Sequence, residues 1–187
     1  MGVELTGEMQ IIRRIVAGET ELFDTLYEKH HREVFVLAYR MCQSRTDAEE
    51  VVSEVFLKAY RGLKKFKGDS SLATWLYRIT INESNNLLRR SRRQVPWDPD
   101  VPFPQASRSA TESFAQVDEE MTKREEIRDL RQAMRELPIQ DRLILTLRYD
   151  NELSYEEIAE VVHMPKNSVG TKIARAKKAL MAKMKEN

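Results

Sequence analysis

The side chains best suited to bind nucleic acid lie between residues 82 and 93. Asparagine and arginine recur there at helical spacing, as Asn82, Asn85, Asn86, Arg89, Arg90, Arg92 and Arg93. Asparagine amides hydrogen-bond to base edges, and arginines bind phosphate. The preceding turns carry an apolar stripe, which indicates one amphipathic helix with a polar outer face. We interpret Trp75, which falls on that stripe, as a core residue, whereas Tyr77 fits either the core or base stacking.

A second candidate for nucleic-acid binding lies at residues 153–180. Ser154 and Glu157 have the spacing of a capping box, and Pro165 must break the short helix that they open. The next helix buries Val169, Ile173, Ala176 and Leu180 and turns polar and basic residues outward. A short helix, a tight turn and a basic helix have the geometry that enters a major groove. A surface helix of a bundle is the alternative, and the near absence of acidic residues after His163 favours DNA binding.

The helix predicted for residues 47–60 has a different character. Its Glu49, Glu50 and Glu54 flank an apolar stripe of valines and Phe56. Such a surface suits a basic partner helix. A bundle helix with a solvated acidic edge fits these residues equally well.

Charge is segregated along the chain, although the formal net charge is only +1. Residues 61–93 carry 9 Lys and Arg against 2 Asp and Glu, and residues 163–187 carry 7 against 1. The intervening residues 94–162 carry 8 against 16. Two basic segments around an acidic one favour two contacts with a polyanion.

The 187 residues correspond to one ordinary domain or two small ones. Four of the six prolines lie between residues 94 and 104 and predict a linker. We therefore predict domains at residues 1–93 and 119–187, joined by a flexible linker at 94–118. Both domains show helical periodicity without strand alternation, so the predicted class is all-α. Thr46 and Glu49 have capping-box spacing and open a helix to about Gly62.

Composition excludes several other classes. No apolar run approaches the roughly 18 residues of a membrane span, and the N-terminus lacks the pattern of a signal peptide. The single cysteine, Cys42, excludes an internal disulfide framework and a cysteine-based zinc site, and we interpret it as a packing residue. We expect a cytoplasmic protein.

Three segments, in this order, resemble the extracytoplasmic-function (ECF) sigma factors of the bacterial sigma-70 family. They read DAEEVVSEVFLKAYRGLKKF, FKGDSSLATWLYRITINESNNLLRR and LPIQDRLILTLRYDNELSYEEIAEVVHMPKNSVGTKIARAKKAL. The resemblance covers about residues 8–185. It implies a core-binding segment, a promoter-melting and minus-ten-reading segment, and a region-four helix-turn-helix that reads the minus-thirty-five element.

The resemblance also implies partners and site residues. The partners are core RNA polymerase (its beta-prime clamp and beta flap), promoter DNA and an anti-sigma factor. No enzymatic activity, catalytic residue, small-molecule substrate, cofactor, metal site or membrane insertion is expected. The implied polymerase-binding residues are Asp47, Glu49, Glu50, Ser53, Glu54 and Phe56. The implied minus-ten residues are Lys67, Asp69, Ser70, Ser71, Asn82, Asn86, Arg89 and Arg90. The implied minus-thirty-five residues are Asn167, Ser168, Thr171, Lys172, Arg175 and Lys178.

Three positions depart from the family pattern. Ser53 replaces a usual glutamine, Asn167-Ser168-Val169 replaces Gly-Thr-Val, and Gly170 stands where a basic residue is common. The last two put the minus-thirty-five preference in question. The predicted linker of 25 residues spans at most about 80 Å. Promoter elements about 16 base pairs apart are separated by roughly 55 Å, so the linker reaches.

Two other functions fit parts of the sequence. The pairs Glu28 with His31 and Glu160 with His163 have the spacing of di-iron bundles, but they fall in different halves of the chain. A DNA-binding regulator that acts without polymerase would share the helix-turn-helix. It would leave the acidic helix and the asparagine-rich helix unexplained.

Overall fold

A computed structural model describes residues 2–94 and 121–186 of the chain. Among these residues there are eight α-helices and no strand, which confirms the all-α class. The helices are α1 (Gly2–Ala17), α2 (Phe23–Cys42), α3 (Arg45–Gly62), α4 (Leu72–Gln94), α5 (Met121–Glu136), α6 (Ile139–Leu145), α7 (Tyr155–Val162) and α8 (Lys166–Glu186). We call α1–α4 the first unit and α5–α8 the second unit. Residues 95–118 of the predicted linker lie outside the described residues.

The first unit is built on α2, α3 and α4, which pack against one another. Val34, Ala38 and Val55 at its centre are fully buried. Their three- and four-residue spacing puts each on the inner face of its helix. Helix α1 lies across α2, where Glu8 accepts a hydrogen bond from His30 (2.9 Å) and pairs with Lys29 (2.9 Å).

The N-terminus of α3 differs from the prediction. The helix begins at Arg45, and its cap is Ser44, whose hydroxyl accepts from the Asp47 backbone N–H (3.3 Å). The capping box predicted at Thr46 and Glu49 is therefore wrong. Thr46 already lies inside the first turn, where a side chain can no longer cap the helix.

The second unit places α8 against α5, α6 and α7. A π-helical turn, Thr146–Asp150, connects α6 to the loop before α7. Val169 and Ala176 of α8 are fully buried, as are Ile158 of α7 and Leu147 of the turn. The predicted inner stripe of α8 is thus the surface that holds it in the unit.

The two units share a hydrophobic cluster. Helix α2 packs on α6, and α4 packs on α7. The first unit contributes four buried residues and the second unit many more to one continuous cluster. The first-unit members are Leu37, Met41, Tyr77 and Ile81, and the second-unit members include Leu147, Leu153 and Ile158. We call this contact the seam.

Candidate polymerase and nucleic-acid interfaces

The predicted polymerase-binding residues lie on α3, and most of them face solvent. Glu49, Glu50, Ser53 and Glu54 are exposed, and Asp47 is half-buried. The Ser53 hydroxyl donates to the Glu49 backbone carbonyl (3.0 Å), and the Glu49 side chain pairs with Arg45 (2.9 Å). Glu50 and Glu54 are exposed as well, and they give this face its negative charge.

Phe56 is buried rather than exposed, so it supports the acidic face from below. Its ring packs edge-on against Tyr27 (4.6 Å between centroids) and near Phe23 (6.3 Å). Phe23 also packs edge-on against Tyr60 (5.1 Å). This aromatic cluster fixes the position of α3 relative to α2.

An apolar patch beside the acidic face escaped the sequence analysis. It consists of Tyr27, Leu57 and Tyr60, each about two-fifths exposed. Leu57 and Tyr60 lie one helical turn or two beyond Ser53 and Glu54, on the polar side of the helix. Large apolar residues on a polar face were the signal that could have revealed it.

The loop before α4 has the predicted polar character. Lys67 and Asp69 are exposed, and Ser70 is half-buried. The Ser71 hydroxyl accepts from the Thr74 backbone N–H (3.0 Å), so it caps α4. Gly68 has a φ of +78°, a left-handed conformation that glycine adopts without strain.

The polar face of α4 lines an open cavity of about 640 Å³. Asn82, Arg89 and Arg90 are exposed, and Asn86 is half-buried. Ile139 of the second unit forms part of the cavity wall. The predicted minus-ten residues of α4 are thus together on one face, and that face adjoins the other unit. The side chains of Arg92 and Arg93 lie outside the described residues.

Aromatic residues of α4 are buried to different degrees. Tyr77 is almost fully buried at the seam, and its hydroxyl donates to Glu33 (2.6 Å). Burial, and then the carboxylate of Glu33, raise the pKa of Tyr77 far above its usual value. Trp75 is half-buried against Gly62 and Phe66. Both are therefore packing residues, although Trp75 keeps an exposed edge.

The helix-turn-helix has the predicted geometry. Ser154 and Glu157 form the complete capping box at the start of α7, and His163 ends α7 in a left-handed conformation (φ 54°). Five of the six predicted minus-thirty-five residues are exposed, namely Asn167, Ser168, Thr171, Arg175 and Lys178. Lys172 instead pairs with Asp141 of α6 (2.8 Å), which holds its ammonium group against the unit.

Gly170 makes room for an aromatic ring that the sequence analysis missed. A side chain at this position would have its Cβ only 3.3 Å from Tyr155. The guanidinium of Arg148 lies over the same ring, 5.6 Å from its centroid. A side chain at 170 would therefore have to push the Tyr155 ring back by a few tenths of an ångström.

Two ionisable groups at the seam have shifted pKa values. Burial raises the pKa of the Cys42 thiol to about 11, although a hydrogen bond to Ser84 acts the other way. Burial lowers the pKa of Arg142 to about 10, and Arg40 adds repulsion. At neutral pH, Cys42 is a protonated thiol and Arg142 keeps its charge.

The di-iron pattern does not assemble. His31 stacks on Tyr27 in the first unit, whereas Glu160 pairs with Arg78 and His163 ends α7. Within residues 2–94 and 121–186, no group of three or more His, Cys, Asp or Glu side chains could hold a metal ion. None of the helices described is both long and apolar enough to cross a membrane.

Family models match both units. The model for sigma-70 region 2 matches residues 26–94, and the model for sigma-70 region 4 matches residues 127–180. The RNA polymerase sigma-H factor of Pseudomonas aeruginosa is 37% identical over 179 residues, covering 92% of this chain and 91% of the relative. The ECF RNA polymerase sigma-E factor of Escherichia coli is 34% identical over 184 residues, covering 96% and 95%.

Solved structures share the fold. CnrH, solved in complex with the cytosolic domain of CnrY, is 21% identical with a TM-score of 0.68, covering 95% of this chain and 96% of CnrH. The sigma factor RpoE of Bartonella quintana, solved with the anti-sigma factor NepR, is 21% identical with a TM-score of 0.71. That match covers 87% of this chain and 96% of the RpoE chain. Both matches extend over the two units.

Proposed function

Because this chain belongs to the ECF sigma factors of the sigma-70 family, we propose that it binds core RNA polymerase and directs it to promoter DNA. Sigma factors are transcription initiation factors that are not enzymes. The observation that carries the proposal is that the first unit has two different polar faces. Helix α3 presents an acidic face, and α4 presents a face of asparagine and arginine side chains. A regulator that only binds duplex DNA needs neither face. We place the two domains at residues 1–93 and 119–187.

The acidic face of α3 binds the beta-prime clamp of the polymerase. Glu50 and Glu54 attract a basic partner, and the adjoining patch of Tyr27, Leu57 and Tyr60 supplies apolar contact area. Aromatic residues surrounded by charge are typical of the energetically dominant part of an interface. Phe56 and Asp47 act as supports, since one is buried and the other half-buried.

The beta flap binds the outer end of the second unit. Ile127 and Leu130 of α5 are exposed there, as are Met181 and Met184 of α8. Helices α5 and α8 pack against each other, so these residues belong to neighbouring surfaces. Methionine side chains adapt to the shape of a partner, which suits a docking surface.

The minus-ten element is bound by the loop before α4 and by the polar face of α4. Lys67, Asp69 and Ser70 surround a flipped base, and Asn82, Asn86, Arg89 and Arg90 bind the neighbouring strand. Ser71 takes part through its position at the helix start, since its hydroxyl already caps α4. Unstacking a base costs a few kcal/mol, which the base contacts and the polymerase offset.

The minus-thirty-five element is bound in the major groove by α8. Ser168, Thr171 and Arg175 reach base edges, and Asn167 and Lys178 bind the backbone. Lys172 contributes less than the pattern implied, because its ammonium group is paired with Asp141. Tyr155 at the start of α7 adds a contact to the adjacent phosphates.

An anti-sigma factor restrains the protein by covering the α3 face and the apolar patch beside it. Two proteins of the same fold, CnrH and RpoE, were solved with CnrY and with the anti-sigma factor NepR respectively. An anti-sigma factor that competes with the polymerase for this patch would restrain transcription without touching DNA. We propose that the protein acts in the cytoplasm, where the polymerase is.

Run-off transcription with purified core polymerase tests the proposal. Fragments of the source genome are transcribed with and without the protein, and new discrete start sites are expected only with it. Glu50→Arg should weaken core binding about tenfold or more through lost attraction and added repulsion. Glu21→Arg makes the same charge change at an exposed residue outside both proposed polymerase-binding surfaces and should leave core binding unchanged.

Two outcomes would contradict the proposal. No new start sites, together with no core binding by the unaltered protein, would exclude a sigma factor. Tight binding of the isolated protein to duplex promoters, with no effect of core polymerase, would support the regulator that acts alone.

A further inference from the structure

The Lys172 side chain lies within the proposed DNA-binding face of α8 but is held by α6. Lys172 follows Ser168 by four residues and precedes Arg175 by three, so all three lie on one side of the helix. Ser168 and Arg175 are exposed, whereas the Lys172 side chain is only 28% exposed. Its ammonium group lies 2.8 Å from Asp141 Oδ1. One cation of this face is therefore directed toward the protein.

The packing of α6 on α8 fixes this ion pair. Ile144 of α6 and Ile173 of α8 are buried in the same hydrophobic cluster, so the two helices cannot move apart without exposing it. The Asp141 side chain is 18% exposed. Salt screens partly buried charges less than exposed ones, so this pair persists at salt concentrations that weaken surface pairs. Lys172 can reach a phosphate only by leaving the Asp141 carboxylate without its counter-charge.

A second ion pair, at the start of α8, provides a contrast. Lys166 pairs with Glu156 of α7, and these side chains are 59% and 60% exposed. Water can solvate both groups when this pair separates, so Lys166 can exchange Glu156 for a phosphate at little cost. The pair of Asp141 and Lys172 lacks this freedom because it is partly buried. Of the two carboxylates, Asp141 thus has the stronger hold on its lysine.

We propose that Asp141 is a positioning residue that keeps Lys172 away from the DNA backbone and thereby limits the affinity of the second unit for DNA of any sequence. This inference rests on the proposed function, because it concerns the face of α8 that binds the minus-thirty-five element. A contact between lysine and phosphate releases counterions and adds affinity without reading the bases. Neutralising Lys172 within the protein removes one such contact, so contacts to base edges make up a larger share of the binding.

The substitution Asp141→Asn tests this role, because it removes the carboxylate with little change in size. The freed Lys172 should then add about one phosphate contact. The slope of log K against log salt should steepen by about 0.9, and DNA binding should become about threefold to eightfold tighter at 0.1 M salt. If the ion pair only stabilised the packing of α6 on α8, its loss would weaken DNA binding instead. The direction of the change therefore separates the two roles.

DNA-cellulose chromatography of the full chain compares the variants without requiring a promoter. Duplex DNA of mixed sequence is immobilised, and each protein is eluted with a rising salt gradient. Asp141→Asn should elute at the highest salt concentration, and Glu156→Gln should elute between it and the unaltered chain. Glu21→Gln makes the same change of net charge at an exposed residue of the first unit and should elute with the unaltered chain. Adding Lys172→Gln to Asp141→Asn should remove the gain.

Three results of this experiment would overturn the proposal. Asp141→Asn could elute at the same salt concentration as the unaltered chain. Its gain could persist in the double variant, which would mean that Lys172 is not the cation released. The gain could also be matched by Glu156→Gln or Glu21→Gln, which would mean that net charge alone sets the affinity.

Quantitative footprinting of the holoenzyme measures the salt slope at a promoter. The promoters come from start sites mapped by run-off transcription, and Asp141→Asn should steepen the slope by about 0.9 relative to the unaltered protein. Equal slopes for the two proteins would contradict the role of Asp141. Run-off transcription decides the proposed function separately. If no start sites are found, the proposed function fails, and elution from DNA-cellulose still shows whether Asp141 restrains Lys172.

Discussion

Helices α4 and α8 both carry predicted promoter-reading side chains, but the fold holds them in different ways. Helix α8 packs on α5, α6 and α7 of its own unit and turns Ser168, Thr171 and Arg175 to solvent. Helix α4 packs on α2 and α3 of its unit and also on α7 of the other. The surface of α8 is thus complete within one unit, whereas that of α4 borders the seam.

This difference concerns how accessible the two helices are. The side chains of Ser168, Thr171 and Arg175 are exposed while the two units are in contact. The polar face of α4 borders Ile139 of the second unit, so its exposed area depends on how the units pack. We therefore expect the proposed role of α4 to be more sensitive to the seam than the proposed role of α8.

The largest effect is expected from breaking the core that anchors α8. Ile173→Ala removes a buried side chain and should lower the free energy of unfolding by about 2–5 kcal/mol. Since Ile173 belongs to the cluster shared by both units, calorimetry should show one transition moved to lower temperature. Leu76→Ala, in the first unit's own cluster, is the counterpart for α4. A separate low-temperature transition for the second unit in Ile173→Ala would mean that the units unfold independently.

Structural features that depend only on residues close together in the sequence were predicted correctly. Ser154 with Glu157, the break at Pro165 and the stripe from Val169 to Ala176 are all local patterns, and each is present as predicted. The N-cap of α3 was predicted wrongly, because Ser44 and Thr46 are both good capping residues and propensity alone does not choose between them.

The seam was not predictable from periodicity. Leu37 and Tyr77 lie on helix faces that any single-unit core would use, so the pattern cannot tell an internal neighbour from the other unit. The pairing of Lys172 with Asp141, 31 positions away, is likewise invisible in the sequence. Contacts of this kind are set by how helices pack, and they decide which candidate site residues remain free.

The second-largest effect distinguishes the specific DNA contacts of α8 from the general attraction of its positive charge. Arg175→Ala should weaken binding to promoters with an upstream element by about 1–3 kcal/mol, while core binding persists. Lys177→Ala removes an equally exposed cation that lies about 200° around the helix, and it should have a much smaller effect. Quantitative footprinting of the holoenzyme measures both. Equal losses would mean that α8 contributes only general electrostatic attraction.

Helix caps provide a smaller and more local comparison. Ser71 caps α4 and Ser154 caps α7, and replacing either with alanine should cost about 0.5–2 kcal/mol in urea unfolding. Aspartate also caps helices, so Ser71→Asp should restore most of the stability. If Ser71 also contacts the flipped base, Ser71→Asp will remain defective in promoter melting, measured by permanganate reactivity. Normal melting in a stable Ser71→Asp protein would leave Ser71 with capping alone.

The smallest effect reports on the seam through Cys42, the last residue of α2. The groups near its thiol are Asp47, Glu50, Ser84 and Arg142. Burial raises the pKa of this thiol from 9.0 to about 11. The unfolded chain therefore releases the proton first, and the thiol's contribution to stability, present below about pH 9, is lost as the pH rises toward 11. Unfolding free energies measured in urea should fall less steeply between pH 8 and 11 for Cys42→Ala than for the unaltered protein. The difference should be on the order of 1 kcal/mol, because the thiol is partly exposed.

Tyr77 lies at the same seam in both proteins, so its own titration cancels in the comparison. Equal slopes would mean that water reaches the thiol freely and that burial does not raise its pKa.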